Sequence, residues 1–392
     1  MKNNDTPLPL TVLLGILVAL PALGTDLYIP ALPEVSRSLG APVSATQATL
    51  TMYFIGLACG QLMWGPLSDR FGRKPVLTAG LLTLLLSSLV AAAAESVSAI
   101  AAARVAQGLG ASSGALIGRT IVRDLYAHEQ AARLLARMTV VFSIVPVTAP
   151  LAGALLLQAG SWPSIFLAMA LVAVVLLAAV WRVDETAPAE RRSIHPARIA
   201  ATFAAILADR RFIAPFLVIL CAQVGILAWV SSSSFALVQG LGVSVVGFGL
   251  MFAGVMLGQI GGAWSSSRLV MRFGIGRLVR AGTALMMGAG IAAAALAWGG
   301  AAHWLAVVLP FMLFLFGTAI IMPNAMAAAL TPFPHAAGSA TSIIGAIGFA
   351  SGALISTLLG AAFDGTARPM ATVAAIAGVA AFAFERFVRG KA

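Results

Sequence analysis

The sequence predicts an all-α membrane protein whose twelve transmembrane helices form two related six-helix bundles. Composition, recurring apolar segments and an internal repeat support this prediction. Hydrophobic residues make up 60% and charged residues 9% of the 392-residue chain, whereas a soluble domain is about 45–50% apolar. With a mean hydropathy of +0.99, the chain is expected to lie in lipid.

Apolar segments long enough to cross a bilayer recur along the chain. A helix that crosses the hydrocarbon layer needs about 20 predominantly apolar residues. The first such segment contains Pro21 and Asp26 and lacks a small-residue cleavage pattern, so we interpret it as a retained helix and not a signal peptide. The twelve predicted spans are residues 8–31, 44–66, 75–95, 98–122, 134–158, 163–182, 212–235, 244–267, 278–299, 303–330, 338–362 and 370–388.

The positive residues predict the orientation. Twelve crossings put both termini on one side of the membrane. Of the 24 Lys and Arg residues, only Arg37, Arg104 and Arg368 fall on or near the opposite side, which leaves 21 (24 − 3) with the even-numbered turns and the tails. The positive-inside rule therefore predicts cytoplasmic termini. The net charge of +11 then describes a surface beside the membrane, and no nucleic-acid partner is expected.

The densest charge in the protein separates the two bundles. We predict an N-terminal bundle at residues 1–182, a cytoplasmic linker at 183–211 and a C-terminal bundle at 212–392. An amphipathic segment from Pro196 to Ala208 is expected to lie on the membrane surface. A regulatory role for the linker has little support in the sequence.

Both halves carry the same short phrases. "GLACGQ" at 56–61 returns as "GVMLGQ" at 254–259, and Arg-Phe-Gly at 70–72 returns at 272–274. Two related six-helix halves are typical of transporters whose substrate site lies between the repeats.

A charged loop, "GPLSDRFGRKPVL", follows the second span. Asp69 can cap and charge-pair at a helix end, while Arg70, Arg73 and Lys74 are expected to face anionic lipid and the C-termini of neighbouring helices. The alternative is a basic turn that only fixes topology. The residues of this predicted gating motif are Gly65, Asp69, Arg70, Gly72, Arg73 and Lys74.

Of the 13 acids, Asp26 alone lies deep inside a predicted span, since Glu95 and Glu385 fall at the ends of theirs. Arg104 enters the fourth span at a similar depth, and an intramembrane arginine without a partner would be costly, so we hypothesise that the two residues pair. The charge of a buried carboxyl depends on the water and cations that reach it. We interpret Asp26 as a proton carrier; the alternative is a permanent structural salt bridge or a helix cap before Pro30.

The fifth span contains two prolines four residues apart, in "SIVPVTAPLAGALL". Pro146 and Pro150 each remove a backbone hydrogen bond and Gly153 follows, so a bend with close packing is expected. A static kink is the alternative.

A largely apolar substrate cavity with a few polar anchors is expected near the middle of the membrane. For each candidate, simple packing is the alternative. No nucleophile, base and orienting group can be assembled, and no metal-ligand spacing occurs, so we expect neither an enzyme nor a cofactor beyond protons as the coupling ion. The cavity candidates are Tyr28, Tyr53, Phe54, Phe142, Trp229, Phe235, Gln239 and Asn324.

Several of these motifs resemble those of a known family. The loop at 65–77 resembles the loop signature of the major facilitator superfamily, and Arg104, Gln107 and Gly108 resemble its second motif. The fifth span resembles the antiporter motif, with Ala149 where glycine is common. The phrases "DLYIPALP", "VRDLY", "PNAMAAAL" and "AAGSATSIIGAIGF" narrow the resemblance to the Bcr/CflA branch.

The resemblance implies a monomeric, proton-coupled efflux transporter of the bacterial inner membrane. It would export amphipathic drugs of the chloramphenicol, bicyclomycin or sulfonamide type by alternating access, and the loop would latch one global conformation. Some related exporters carry a second acid where this chain has Val18, so one proton per substrate is the simpler expectation. Alternatives are an importer or facilitator of a small polar metabolite, and a membrane scaffold or sensor without transport.

Overall fold

The computed structural model describes residues 8–126, 128–187, 196–334 and 336–389, and the bounds of the helices follow from it. The helices are α1 (Leu8–Asp26), α2 (Leu32–Ser38), α3 (Val43–Phe71), α4 (Arg73–Ala92), α5 (Val97–Leu125), α6 (His128–Ala159), α7 (Pro163–Trp181), α8 (Pro196–Ala208), α9 (Arg210–Ser234), α10 (Val245–Phe273), α11 (Ile275–Trp298), α12 (Trp304–Leu330), α13 (Ala337–Ala361) and α14 (Arg368–Arg389).

The long helices correspond to the predicted spans. Within the described ranges, α2 and α8 are the two short helices, and the other twelve lie where the sequence predicts spans. In the part of the chain that the structure describes, ten segments are long and apolar enough to cross a membrane by length and composition. The remaining two long helices, α3 and α5, have 29 residues each but carry more polar residues and glycines. The predicted twelve-helix fold is therefore confirmed.

Helix ends follow local capping chemistry. The hydroxyl of Ser96 accepts a hydrogen bond from the backbone N–H of Ala99 at the start of α5, and Ser244 accepts one from Gly247 at the start of α10. Each bond satisfies one of the free donors of a first helical turn. Gly72 and Gly274 end α3 and α10 with φ of 103° and 77°, a conformation that favours glycine. The repeated Arg-Phe-Gly phrase thus forms the same turn in both halves.

The first span is broken where the sequence predicted a continuous helix. α1 ends at Asp26, a 3₁₀ turn covers Ile29–Ala31, and α2 extends the segment to Ser38. The hydroxyl of Thr25 donates to the carbonyl oxygen of Ala22 at 2.8 Å, a local bond that competes with helix continuation. The break leaves Asp26 at a helix C-terminus.

Residue contacts divide the chain into two compact units. Unit 1 contains Met1–Ala31 and Met52–His195, and unit 2 contains Leu32–Thr51 and Pro196–Ala392. The segment Leu32–Thr51 therefore groups with the second half, although the sequence assigned it to the first bundle. α8 has the predicted bounds of the amphipathic segment, while residues 188–195 of the predicted linker lie outside the described residues.

Each unit is a layered helix bundle. In unit 1, α4 packs on α5 and α7, and α1 packs on α5 and α6. In unit 2, α11 packs on α12 and α14, and α9 contacts α12, α13 and α14. Glycines of the repeated phrase allow close approach in both units: Gly60 of α3 lies against Ser112, and Gly258 of α10 lies against Met312.

Candidate functional site

Asp26 lies buried at the C-terminus of α1, with 4% of its surface exposed. Oγ1 of Thr25, which donates its proton to the carbonyl oxygen of Ala22, lies 3.1 Å from Oδ1 of Asp26. A helix C-terminus carries partial negative charge, so the α1 dipole does not stabilise an ionised carboxylate there. The residue therefore has the burial that the sequence predicted for a titratable group in the membrane.

Arg104 is fully buried on α5 and held by neutral groups. Its Nη1 donates to the carbonyl oxygen of Gly24 at 2.8 Å and to Oε1 of Gln107 at 2.6 Å. Its guanidinium carbon lies 3.9 Å from the ring centroid of Tyr53 and 4.7 Å from that of Tyr28. Two aromatic faces at this distance stabilise a cation that has lost its water. We call the two rings, of Tyr28 and Tyr53, the aromatic cage of Arg104.

The expected ion pair between Arg104 and Asp26 does not form in this conformation. The ion pairs within 4.0 Å among the described residues do not include it. The carbonyl of Gly24 and the two rings surround the guanidinium instead, which is the physical reason for the difference. Nε and Nη2 of Arg104 have no hydrogen-bond partner in the described part of the chain.

A hydrogen-bond chain fixes the side of the cage that faces α4. Nε2 of Gln107 donates to Oγ of Ser88 at 2.7 Å, and Ser88 donates to the carbonyl oxygen of Leu84 at 2.6 Å. Both side chains are buried. The sequence pointed to Gln107 by resemblance only, and Ser88 gave no signal beyond being a polar residue in a span.

The proline-containing helix α6 packs on the turn next to Asp26. Pro146 and Pro150 lie inside α6, which continues through both to Ala159. Gly153 lies against the backbone carbonyl of Leu27, so closely that a Cβ at this position would overlap the carbonyl oxygen. The predicted antiporter motif thus brings its glycine to the residue that follows the candidate proton carrier.

Arg73 of the predicted gating motif is the buried centre of a charge network. Its Nε donates to Oδ2 of Asp124 at 2.9 Å, and its Nη1 donates to Oγ of Ser68 at 2.9 Å and to Oδ1 of Asp69. Only 8% of the Arg73 side chain is exposed. The expectation that Arg73 faces lipid was therefore wrong, because two carboxylates hold it inside unit 1.

The other motif residues have simpler surroundings. Nζ of Lys74 donates to the carbonyl oxygen of Trp181 at 2.9 Å, which confirms the expected contact with a helix C-terminus. The guanidinium of Arg70 lies 5.2 Å from the ring of Phe71. A Cβ at Gly65 would meet Leu116 at 3.9 Å, an ordinary van der Waals distance, so this position does not require glycine for close packing.

Glu185, which follows α7, caps the start of α4. Its Oε1 accepts from the backbone N–H of Arg73 at 2.9 Å and its Oε2 from that of Lys74 at 3.3 Å. Partial burial acts to raise the pKa of Glu185, but the N–H donors of Ala187, Arg73, Lys74 and Thr186 outweigh it and hold the pKa below its usual value. Sequence reasoning missed this residue, which appears there only as one more acid of a charged linker.

The cavity candidates separate between the two units. In unit 1, Tyr28 and Tyr53 form the aromatic cage. Phe54, which follows Tyr53 in the sequence, is buried, and Phe142 is half-buried on α6. Of these four residues, Tyr28 and Tyr53 place aromatic surface on Arg104. Whether any of them contacts a substrate stays a prediction.

In unit 2, most candidates are committed to packing. The ring of Trp229 lies 5.0 Å from that of Phe311, and Phe235 lies 5.7 Å from Phe363. Nδ2 of Asn324 donates to Oγ of Ser266 at 2.7 Å. Gln239 is exposed at the end of the π-helical segment that continues α9.

The end of α9 carries buried hydrogen-bond donors without partners, which the sequence did not predict. Nε1 of Trp229 and the hydroxyls of Ser231, Ser233 and Ser234 have no hydrogen-bond partner among the described residues. Serine hydroxyls in lipid usually bond to their own helix, and these three do not. Gln47 approaches the same stretch, since its Nε2 donates to the carbonyl oxygen of Ser231 at 3.1 Å.

Comparisons with known proteins agree with this arrangement. Residues 14–357 match the model of the Major Facilitator Superfamily. The chain is 31% identical over 375 residues to the bicyclomycin resistance protein homolog of Haemophilus influenzae, covering 94% of this chain and 93% of that protein. It is 29% identical over 340 residues to multidrug resistance protein D of Escherichia coli, covering 86% and 85%.

A third relative and a solved structure extend the comparison. The chain is 31% identical over 334 residues to a chloramphenicol resistance protein of Pseudomonas aeruginosa, covering 84% of this chain and 78% of that protein. The crystal structure of a D-xylose-proton symporter superposes with a TM-score of 0.74 at 16% identity, covering 96% of this chain and 97% of that one, which shows the shared fold. The protein is therefore a multi-pass membrane protein of the Major Facilitator Superfamily, and it belongs to the Bcr/CflA branch of that family.

Proposed function

We propose that the protein exports amphipathic drugs across the bacterial inner membrane in exchange for protons, by alternating access. Relatives that match most of this chain are named for resistance to bicyclomycin, chloramphenicol or several drugs. The observation that carries proton exchange is the burial of Asp26 two residues after Gly24, whose carbonyl oxygen holds the buried Arg104, without an ion pair between the two charges among the described residues.

Asp26 is the proton carrier in this proposal. A buried carboxyl binds or releases its proton according to the solvent and cations that reach it. In the observed arrangement the aromatic cage holds Arg104, which keeps two donor groups without partners. A conformational change that brings this guanidinium to Asp26 would favour the carboxylate and release the proton inward. Because the cage and not a permanent salt bridge stabilises Arg104, the guanidinium can still pair with Asp26 in another conformation.

The orientation follows from the positive residues. The excess of Lys and Arg at the even-numbered turns and the tails supports cytoplasmic termini. Protons then enter from the outer side and drug leaves toward it. The transporter acts as a monomer in the lipid bilayer and requires no cofactor other than the coupling proton.

Substrate recognition uses apolar surface with a few polar anchors. Chloramphenicol-like, bicyclomycin-like and sulfonamide-like compounds combine apolar surface with neutral hydrogen-bonding groups. Within unit 1, the aromatic rings of Tyr28, Tyr53 and Phe142 offer apolar surface. Within unit 2, the unpartnered donors at Trp229 and Ser233 can bond to neutral acceptors. Contacts of these two kinds tolerate several drug shapes.

Everted membrane vesicles test the proposal directly. We expect wild-type vesicles to accumulate chloramphenicol when their lumen is acidified, and a proton ionophore to abolish the accumulation. The Asp26→Asn variant should not accumulate drug, because its side chain cannot carry a proton. Glu95→Gln, which changes an exposed acid, is the matched control and should behave like wild type.

Two results would contradict the proposal. Equal accumulation by wild type and Asp26→Asn would exclude this carboxyl as the proton carrier. A drug flux that survives collapse of the proton gradient would support the alternative, a facilitator. Immunoblotting of both variants in the vesicles establishes that the comparison is made at equal amounts of protein.

A further inference from the structure

An open groove runs between α4 and α7 on the surface of unit 1. Its volume is about 560 Å³. It lies at the start of α4 and the end of α7, close to the point where the chain enters the linker. The residues that line it are Thr78, Leu82, Leu177, Ala178, Trp181 and Arg182.

The apolar floor of the groove continues along both helices. Leu82 follows Thr78 by one helical turn on α4, and Leu86 one turn further is 61% exposed. On α7, Val175 and Leu171 precede the groove and are exposed. Since these helices belong to a membrane protein, exposed leucine and valine side chains of this kind face lipid chains. A straight hydrocarbon chain can therefore lie in the groove and extend along this surface.

One end of the groove is polar and positively charged. Trp181 is 74% exposed at the C-terminus of α7, and exposed tryptophans at helix ends mark the boundary between hydrocarbon and headgroups. The exposed Arg182 follows it, and its side chain joins none of the ion pairs within 4.0 Å among the described residues. Lys74 adds a second cation at this end, because its Nζ bonds to the carbonyl oxygen of Trp181.

The nearby acids do not neutralise this end. The carboxylate of Glu185 accepts backbone N–H groups of Arg73 and Lys74. Asp184 and Lys74 both line a small cavity beside the groove, and Asp184 forms no ion pair within 4.0 Å with Lys74 or Arg182 in the described part of the chain. Arginine and lysine side chains at a membrane surface attract lipid phosphates, and arginine can bind a phosphate through two parallel hydrogen bonds.

We propose that the groove is a binding site for an anionic glycerophospholipid, with one acyl chain between α4 and α7 and the headgroup phosphate on Arg182 and Lys74. A lipid at this place touches the two helix ends that Glu185 joins, and α4 begins with Arg73 of the charge network. Its occupancy would therefore stabilise the arrangement around Arg73 and link the gating motif to the composition of the membrane.

Thermal unfolding of the purified transporter in a neutral detergent tests the site. The midpoint is measured during titration with phosphatidylglycerol or with phosphatidylcholine of the same acyl chains. We expect phosphatidylglycerol to raise the midpoint of wild type by several degrees more than phosphatidylcholine does. Arg182→Gln removes the phosphate ligand and Ala178→Trp fills the groove, so both variants should lose this difference. Arg277→Gln, an exposed arginine on another helix, should keep it.

Native mass spectrometry of the same samples counts the bound lipids. We expect one phosphatidylglycerol that remains on wild type and Arg277→Gln and is lost from Arg182→Gln and Ala178→Trp. Equal shifts with the two lipids would mean a nonselective boundary lipid and would overturn the proposal. Stabilisation by inorganic phosphate alone would indicate an anion site without a lipid chain, and displacement of the lipid by chloramphenicol would assign the groove to the transported drug; either result would also overturn it. Because no transport is measured, the outcome is independent of drug export.

Discussion

The guanidinium carbon of Arg104 lies 3.9 Å from the ring centroid of Tyr53, so a fully buried cation is held by an aromatic face and not by a carboxylate. A permanent partner such as Asp26 would fix both charges in one state. An aromatic ring stabilises the cation without accepting its charge. The arrangement therefore agrees with the proposal that the carboxyl of Asp26 changes its protonation during transport.

Two variants of Tyr53 distinguish the contribution of its ring from that of its hydroxyl. Tyr53→Phe keeps the ring under Arg104 and loses the hydrogen bond from its hydroxyl to the carbonyl oxygen of Pro21, so we expect a loss of about 1 kcal/mol in stability and retained drug uptake. Tyr53→Leu removes the cation–π contact, which is worth about 2 kcal/mol or more in a desolvated site. Thermal unfolding and drug uptake into everted vesicles measure both effects. Equal behaviour of the two variants would show that the ring does not hold the cation.

Gly153 of α6 is expected to tolerate no side chain. A Cβ there would overlap the backbone carbonyl of Leu27, which cannot move aside as a flexible side chain could. We expect Gly153→Ala to destabilise the protein by about 1–3 kcal/mol, as overpacking usually does, and to reduce drug uptake by shifting the turn that follows Asp26. Thermal unfolding and vesicle uptake check this expectation.

The matched control for this glycine is Gly288. It also lies inside a long helix, α11, but a Cβ there would meet no atom within 4 Å. Gly288→Ala should leave uptake unchanged, because alanine is the better helix former. If both alanine variants behave alike, close packing at Gly153 has no special role.

The sequence was sufficient for the fold because the bilayer restricts the possible structures. Only helices satisfy their own backbone hydrogen bonds in lipid, so twelve long apolar segments and a repeated Arg-Phe-Gly turn predict the architecture. Composition and spacing also placed Asp26 and Arg104 in the membrane. Their surroundings could not be predicted, because the carbonyl of Gly24 and the rings of the aromatic cage reach Arg104 through tertiary packing.

The partners of Arg73 in the charge network could not be predicted either, because they are far from it in the sequence. The partners of Arg73 lie 51 residues away at Asp124 and 112 residues away at Glu185. A single sequence gives no sign that these residues meet. The motif therefore predicted which residues carry charge, but not where Arg73 lies. Its guanidinium binds two carboxylates, those of Asp124 and Asp69, and does not face lipid.

A double-mutant cycle measures the network at Arg73. Arg73→Gln leaves the largely buried Asp124 without its cation, and breaking a buried pair by removing one partner costs about 3–5 kcal/mol. Asp124→Asn removes the negative charge of the same pair. We expect the double variant to be more stable than the sum of the single losses predicts, by about 0.5–3 kcal/mol. Arg70→Gln, next in the motif but outside this network, should cost little. Additive losses would exclude a direct energetic link.

Glu185 should make stability depend on pH in the acid range. Backbone donors hold its pKa below the usual value of 4.5, so the ionised form stabilises the folded state above that pH, and this contribution is lost as the pH falls through the lowered pKa. Glu185→Gln keeps an acceptor oxygen but loses the charge. We expect its unfolding midpoint to lie below that of wild type near pH 7 and to approach it near pH 3. Glu95→Gln, at an exposed acid, should show no such convergence. A gap between wild type and Glu185→Gln that persists at low pH would mean that the carboxylate charge does not stabilise the start of α4.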